Sequence, residues 1–148
     1  MDTSESLTER ARRALGEAYL HAYRYRTGYV GTKHLLLGLV QDAEDAVAQT
    51  FDALGVPVTR IRQHLETVAG PAQQPRPFRL PYSSAARSAL ECGRRVAKRF
   101  GQFAVVAEHI LYGLSLETES TAAKTLRDLG VDPHHISVHL VRQWDHAN

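Results

Sequence analysis

Histidine is the residue whose placement in this 148-residue chain invites chemistry. His34 and His109 stand in two matching stretches, Gly31-Thr32-Lys33-His34-Leu35-Leu36-Leu37-Gly38-Leu39 and Val106-Ala107-Glu108-His109-Ile110-Leu111-Tyr112-Gly113-Leu114. An imidazole can bind a metal or move a proton near neutral pH. Each of these two precedes a run of large aliphatic residues, so the expected role is a hydrogen-bonded core histidine. His135 and His139 are one helical turn apart, a spacing that suits two metal ligands. No third ligand accompanies them, since His134 falls on another helix face, and no metal is expected. Cys92 lies in mid-helix with no base arranged near it, and no Ser/His/Asp nucleophile motif appears. The Gly-x-x-x-x-Gly-Lys-[Ser/Thr] phosphate loop is missing as well. The residues therefore predict no catalytic group and no cofactor.

What positions the histidines is a duplication. His34 and His109, and Gly38 and Gly113, share an offset of 75 residues, which holds without a gap well beyond the motif. Ala11-Arg12 matches Ala86-Arg87, Leu54-Gly55-Val56 matches Leu129-Gly130-Val131, and Ile61, His64 and Leu65 match Ile136, His139 and Leu140. Repeat one covers about 7–69 and repeat two about 82–144, within one domain spanning 1–148. Between them, Gly70 to Pro81 carries four prolines and reads as an extended linker.

Each repeat reads as four short helices. The first starts near Thr8, or near Ser6 with Glu9 closing a capping box, and Gly28 marks its end. Thr32 is the expected N-cap of the second. The third runs from about Ala46 to Leu54 behind the acidic turn Asp42 to Asp45, and the fourth from about Val58 to Val68. The pattern returns at about Ser84–Phe100, Ala107–Leu116 and Thr121–Leu129, and Asp132-Pro133 opens the eighth helix. No strand alternation is sustained, so the fold class is all-α.

Composition narrows the setting. A hydrophobic fraction of 43% and a charged fraction of 23% are those of a globular protein with a core. One cysteine excludes an internal disulfide framework. No apolar run approaches membrane-spanning length, and the polar, acidic start is not a secretory signal. A cytoplasmic location is expected. The net charge of +2 names no partner, but Arg76 to Phe100 holds seven basic residues against Glu91 alone. Arg87, Arg94 and Lys98 share one face there. That helix is the alternative reading, a nucleic-acid or anionic-surface binder, although it lacks an interleaved aromatic platform.

The Gly-Thr-x-His-x-Leu-x-Gly-Leu motif of the first copy, its His-x-Leu-x-Gly-Leu part repeated in the second, followed in both by Glu-x-x-x-Ala, Leu-Gly-Val and an isoleucine-containing last helix, resembles the Clp repeat. That is the N-terminal domain of ClpC- and ClpA-type AAA+ protein unfoldases. The resemblance implies a pseudo-twofold domain of two four-helix repeats that docks adaptors and substrates above an ATPase ring. Without the phosphate loop, ATP turnover by this chain is not expected. The chain reads as an excised or a free-standing domain, and its His-Ala-Asn end favours the latter. The function this implies is a non-catalytic module binding a peptide, an adaptor or a degradation tag in the Clp protease system, or acting there as a decoy that binds cyclic-peptide antibiotics.

Two sites follow from the resemblance. ClpC-type relatives read phosphoarginine with a Thr-Glu pair in each motif, the threonine and helix N-terminus taking the phosphate and the glutamate the guanidinium. Repeat one offers Thr32 but has Lys33 at the glutamate position, and repeat two offers Glu108 but has Ala107 at the threonine position. Each is a half-site. The other site is the groove where the first and fifth helices start, a docking place for cyclomarin-like cyclic peptides in actinobacterial relatives. Its counterparts are Arg12, Tyr82, Arg87 and Glu91, with Ser4 in place of a second family aromatic. Glu91 is expected to pair with Arg87 across one helical turn.

Overall fold

The computed structural model describes residues 7–25, 27–42, 44–69 and 79–147, with Val68 and Ala69 described as backbone only. The linker, apart from residues 79–81, and the arm before Leu7 lie outside the described residues, as does the Ser6 capping alternative. Repeat one consists of α1 (Glu9–Arg24), α2 (Thr32–Leu39), α3 (Ala46–Ala53) and α4 (Val58–Ala69). Repeat two consists of α5 (Ser84–Arg99), α6 (Ala107–Leu116), α7 (Thr121–Asp128) and α8 (Pro133–Ala147). Among the described residues there is no strand, only two isolated parallel bridges.

The helices start where side chains can take up orphan amide protons. Thr8 accepts from Ala11 N and Ser83 from Ala86 N. Asp45 accepts from Ala48 N and Ser120 from Ala123 N. Both pairs of caps obey the 75-residue offset. The second helix of each repeat departs from expectation, because Thr32 is its first helical residue and Gly31 its N-cap. Glycine has no side chain to cap with, so the motif histidine reaches back instead. Gly31 N donates to His34 Nδ1 at 2.9 Å, and Val106 N donates to His109 Nδ1 at the same distance.

The core joins the two central helices, α2 and α6, which are apolar nearly all round, to the small-residue faces of α1 and α5. Ala11, Ala14, Ala18 and Ala22 are buried along α1, and Ala86, Ala89, Gly93, Val96 and Ala97 along α5. Small residues let the backbones approach. A Cβ built on Gly38 would stand 2.1 Å from Ala14 O, and one on Gly113 would stand 1.9 Å from Ala89 O. The glycine near the close of each motif is therefore a requirement of helix crossing.

The repeats interlock through their entries. Val30, before α2, pairs with Tyr82, before α5, and Val105, before α6, pairs with Leu7, before α1. The backbone bonds match, with Ser83 N donating to Val30 O at 2.9 Å and Thr8 N to Val105 O at 3.0 Å. Each repeat thus anchors the first helix of the other, and the buried side chains form one continuous core.

Candidate functional site

The motif histidines are part of this core. His34 is 5% exposed and His109 is 1% exposed. Burial pulls both pKa values down to about 4, with Lys33 and His21 adding to the shift at His34. Both imidazoles are therefore neutral at pH 7, as acceptors from the N-cap amides require. Trp144 of α8 covers His109, ring to ring at 5.1 Å, and also packs on Tyr112 and Phe100. In repeat one the matching residues, Tyr25, His34 and Leu37, border a cavity of about 30 Å³, room for a single water and not for a peptide. His135 stands 3.9 Å from Asp132, while His139 Nε2 is buried with no hydrogen-bond partner among the described residues. Among the described residues, no group of three or more His, Cys, Asp or Glu side chains gathers as a metal site would need.

The half-sites fall at the seams between repeats. Thr32 is 2% exposed, and its hydroxyl accepts from Ala122 N at 3.2 Å and lies 3.1 Å from Thr121 Oγ1. It is a cap after all, but of α7 in the other repeat. Ala107, its counterpart, is buried with no hydroxyl to offer α3. Lys33 is half-buried beside the small cavity. Glu108, also half-buried, has its carboxyl pKa raised, first by burial and then by the charge of Asp45. Its own backbone amide and Arg10 pull the other way. The Arg10–Asp45 pair, with Nε donating to Oδ2 at 2.6 Å, was not anticipated from sequence. The repeat offset held the signal, since the counterparts of Arg10 and Asp45 are Ala85 and Ser120, and the pair belongs to repeat one alone.

The groove residues divide. Arg12 and Arg87 are both exposed in the first turns of α1 and α5, and their amides donate to Thr8 O and Ser83 O at 2.9 Å each. Tyr82 is half-buried beside Val30, and burial raises its phenol pKa against the opposing charge of Arg79. Glu91 departs from expectation. It pairs with Arg94 at 3.0 Å and with Arg95 at 3.8 Å, not with Arg87. A glutamate is better placed before a basic residue than after it, because that order agrees with the helix dipole. The same pairs reduce the positive face expected of α5 as a nucleic-acid binder.

The fold defines a class, the all-α domain built of two interlocked four-helix repeats. Comparison with known proteins gives the family. The model of the Clp repeat N-terminal domain matches residues 6–142, and the chain belongs to that family. It is 36% identical over 124 residues, 84% of its length, to the chaperone protein ClpB of Oceanobacillus iheyensis. The same identity and coverage relate it to ClpC/MecB of Bacillus subtilis, a negative regulator of genetic competence. The chain spans 15% of the length of each of these relatives. In fold it matches the N-terminal domain of the chaperone ClpD of Arabidopsis thaliana, with a TM-score of 0.75, 23% identity, and coverage of 98% of this chain and 97% of that one. No described helix is long and apolar enough to cross a membrane.

Proposed function

We propose that this chain is a non-catalytic binding module of the Clp system, which captures a peptide, an adaptor or a degradation tag at the starts of α1 and α5. The observation that carries the reading is Tyr82. It sits half-buried where the two repeats exchange their entries, so its ring is held while one edge stays available. A tyrosine so placed combines an apolar face with a polar tip, as peptide-contact residues do. Arg12 and Arg87 supply flanking cations for carbonyls or carboxylates, and Glu91 acts at a distance by holding Arg94 and Arg95. A cyclic-peptide antibiotic of the cyclomarin class is the finer proposal for the same place, and the decoy role rests on it.

The test is calorimetry of the wild type, Tyr82→Ala and Tyr82→Phe against a cyclomarin-class peptide. Tyr82→Ala is expected to lose about 1–3 kcal/mol of binding, the scale of a buried aromatic anchor, and Tyr82→Phe to retain most of it. Equal affinities for wild type and Tyr82→Ala, or a peptide located away from Tyr82, would sink the reading.

A further inference from the structure

The last helices of the two repeats, α4 and α8, are held in different ways, and the difference begins at their first turns. Asp132 starts α8. Its Oδ1 accepts from His134 N at 3.0 Å and its carbonyl from His135 N at 2.9 Å. The residue 75 places earlier, before α4, is Pro57. It offers only its carbonyl, which accepts from Arg60 N at 3.0 Å. Among the described residues no side chain caps the first turn of α4, so its orphan amides depend on water.

The far ends differ as well. Trp144 fastens the end of α8 by packing on Phe100, His109 and Tyr112, at 5.4, 5.1 and 5.6 Å between ring centroids. Its counterpart in α4 is Ala69, a residue that carries no ring. Between the ends α4 buries Val58, Ile61 and Leu65, and α8 buries Pro133, Ile136, Ser137 and Leu140. Arg62 adds one bond, with Nη1 donating to Gln41 O at 3.0 Å.

Their neighbours differ too. The helix α8 packs on α6 and α7 of its own repeat and on α3 of the other, so it is tied into the interlock of the two repeats. The main neighbours of α4 are α2 and α3, both within repeat one. A folded domain opens locally where an element is least held, and such openings take whole elements as units. By its start, its end and its neighbours, α4 is less firmly held than its twin.

We propose that α4 is an opening helix. It detaches from α2 and α3 as a unit while the rest of the domain stays folded, and this uncovers Ile61, Leu65 and the apolar surface beneath them. The entries that join the repeats, Val30 to Tyr82 and Leu7 to Val105, lie outside α4 and stay paired during the opening. The device belongs to repeat one and is separate from the Tyr82 site, so its test does not depend on the function proposed above.

The experiment is amide hydrogen exchange of the full chain followed by mass spectrometry. After correction for intrinsic rates, the amides of 61–67 are expected to exchange together, about tenfold or more faster than those of 136–142. Those of α2 and α3 should stay protected. Pro57→Asp gives α4 the side chain that Asp132 gives α8, and should slow exchange in α4 about fivefold, the equivalent of an N-cap worth about 1 kcal/mol. Trp144→Ala should speed exchange at the end of α8 and leave α4 unchanged. Circular dichroism checks that both variants fold, and Pro57→Asp decides the matter if Trp144→Ala does not. Equal protection of α4 and α8, loss of protection in α2 and α3 together with α4, or unchanged exchange of α4 in Pro57→Asp would overturn the proposal.

Discussion

The hydroxyl of Thr32, in the first turn of α2, lies 3.1 Å from that of Thr121, in the first turn of α7, and takes the Ala122 amide proton as well. A side chain of one repeat thus completes the helix start of the other. Ser120 covers the next amide of the same turn, so α7 has one cap from its own repeat and one from across the seam.

Thr32→Val keeps the shape of that side chain and removes the acceptor. A buried amide loses its partner, at a cost of about 1–3 kcal/mol. Urea unfolding of the two proteins measures the difference. An unchanged midpoint would show that the cross-repeat cap contributes nothing to stability.

The two motif glycines are expected to be intolerant of any side chain. Gly38→Ala and Gly113→Ala drive a methyl into the carbonyls of Ala14 and Ala89, and each should cost about 3 kcal/mol or more, at the upper end for overpacking. Gly16 is the control, because a Cβ there meets nothing within 4 Å. Gly16→Ala should stabilise by about 0.5–1 kcal/mol through helix propensity. Thermal melts of the three variants give the ranking directly.

Stability should fall in mild acid. His34 and His109 titrate at about 4 in the folded chain, against 6.5 for an ordinary histidine. Between these values the unfolded chain binds protons that the folded chain refuses, so stability rises with pH there. It is complete above about 6.5 and is lost as the pH falls toward 4, by up to about 1.4 kcal/mol per pH unit for each histidine that titrates only when unfolded. Denaturant melts from pH 4.5 to 7.5 should show this slope, and a flat profile would mean that the imidazoles protonate without breaking their N-cap bonds.

Phosphoarginine is expected to bind the wild type weakly or not at all. Lys33 puts a like charge where a guanidinium would sit, and Ala107 lacks the hydroxyl that a phosphate would use. Lys33→Glu combined with Ala107→Thr should strengthen binding at least tenfold by calorimetry. Equal affinity in the wild type and the double variant would refute the half-site reading. Ala107 is buried, so a melt of the variant should accompany the titration.

Much of the architecture was legible in the sequence because duplication and helix chemistry are local. The offset of 75 aligned the motif histidines, the motif glycines and the stops at Gly55 and Gly130, and it predicted eight helices in two sets of four. The Asp132-Pro133 start of α8 and the Thr8 start of α1 were readable from residue type alone. Membership of the Clp repeat family was likewise carried by the motif, because it records a helix crossing that only glycine allows.

The tertiary structure decided which partner each polar group took. Thr32 looks like the cap of its own helix, but a seam of the fold brings α7 nearer to its hydroxyl. Glu91 has basic residues on both sides in sequence, and helix geometry with the dipole chose Arg94 and Arg95 over Arg87. Arg10 and Asp45 are 35 residues apart and meet because α1 passes the start of α3. Spacing along a chain reports who shares a helix face, whereas partnership across helices depends on packing distances that no local pattern encodes.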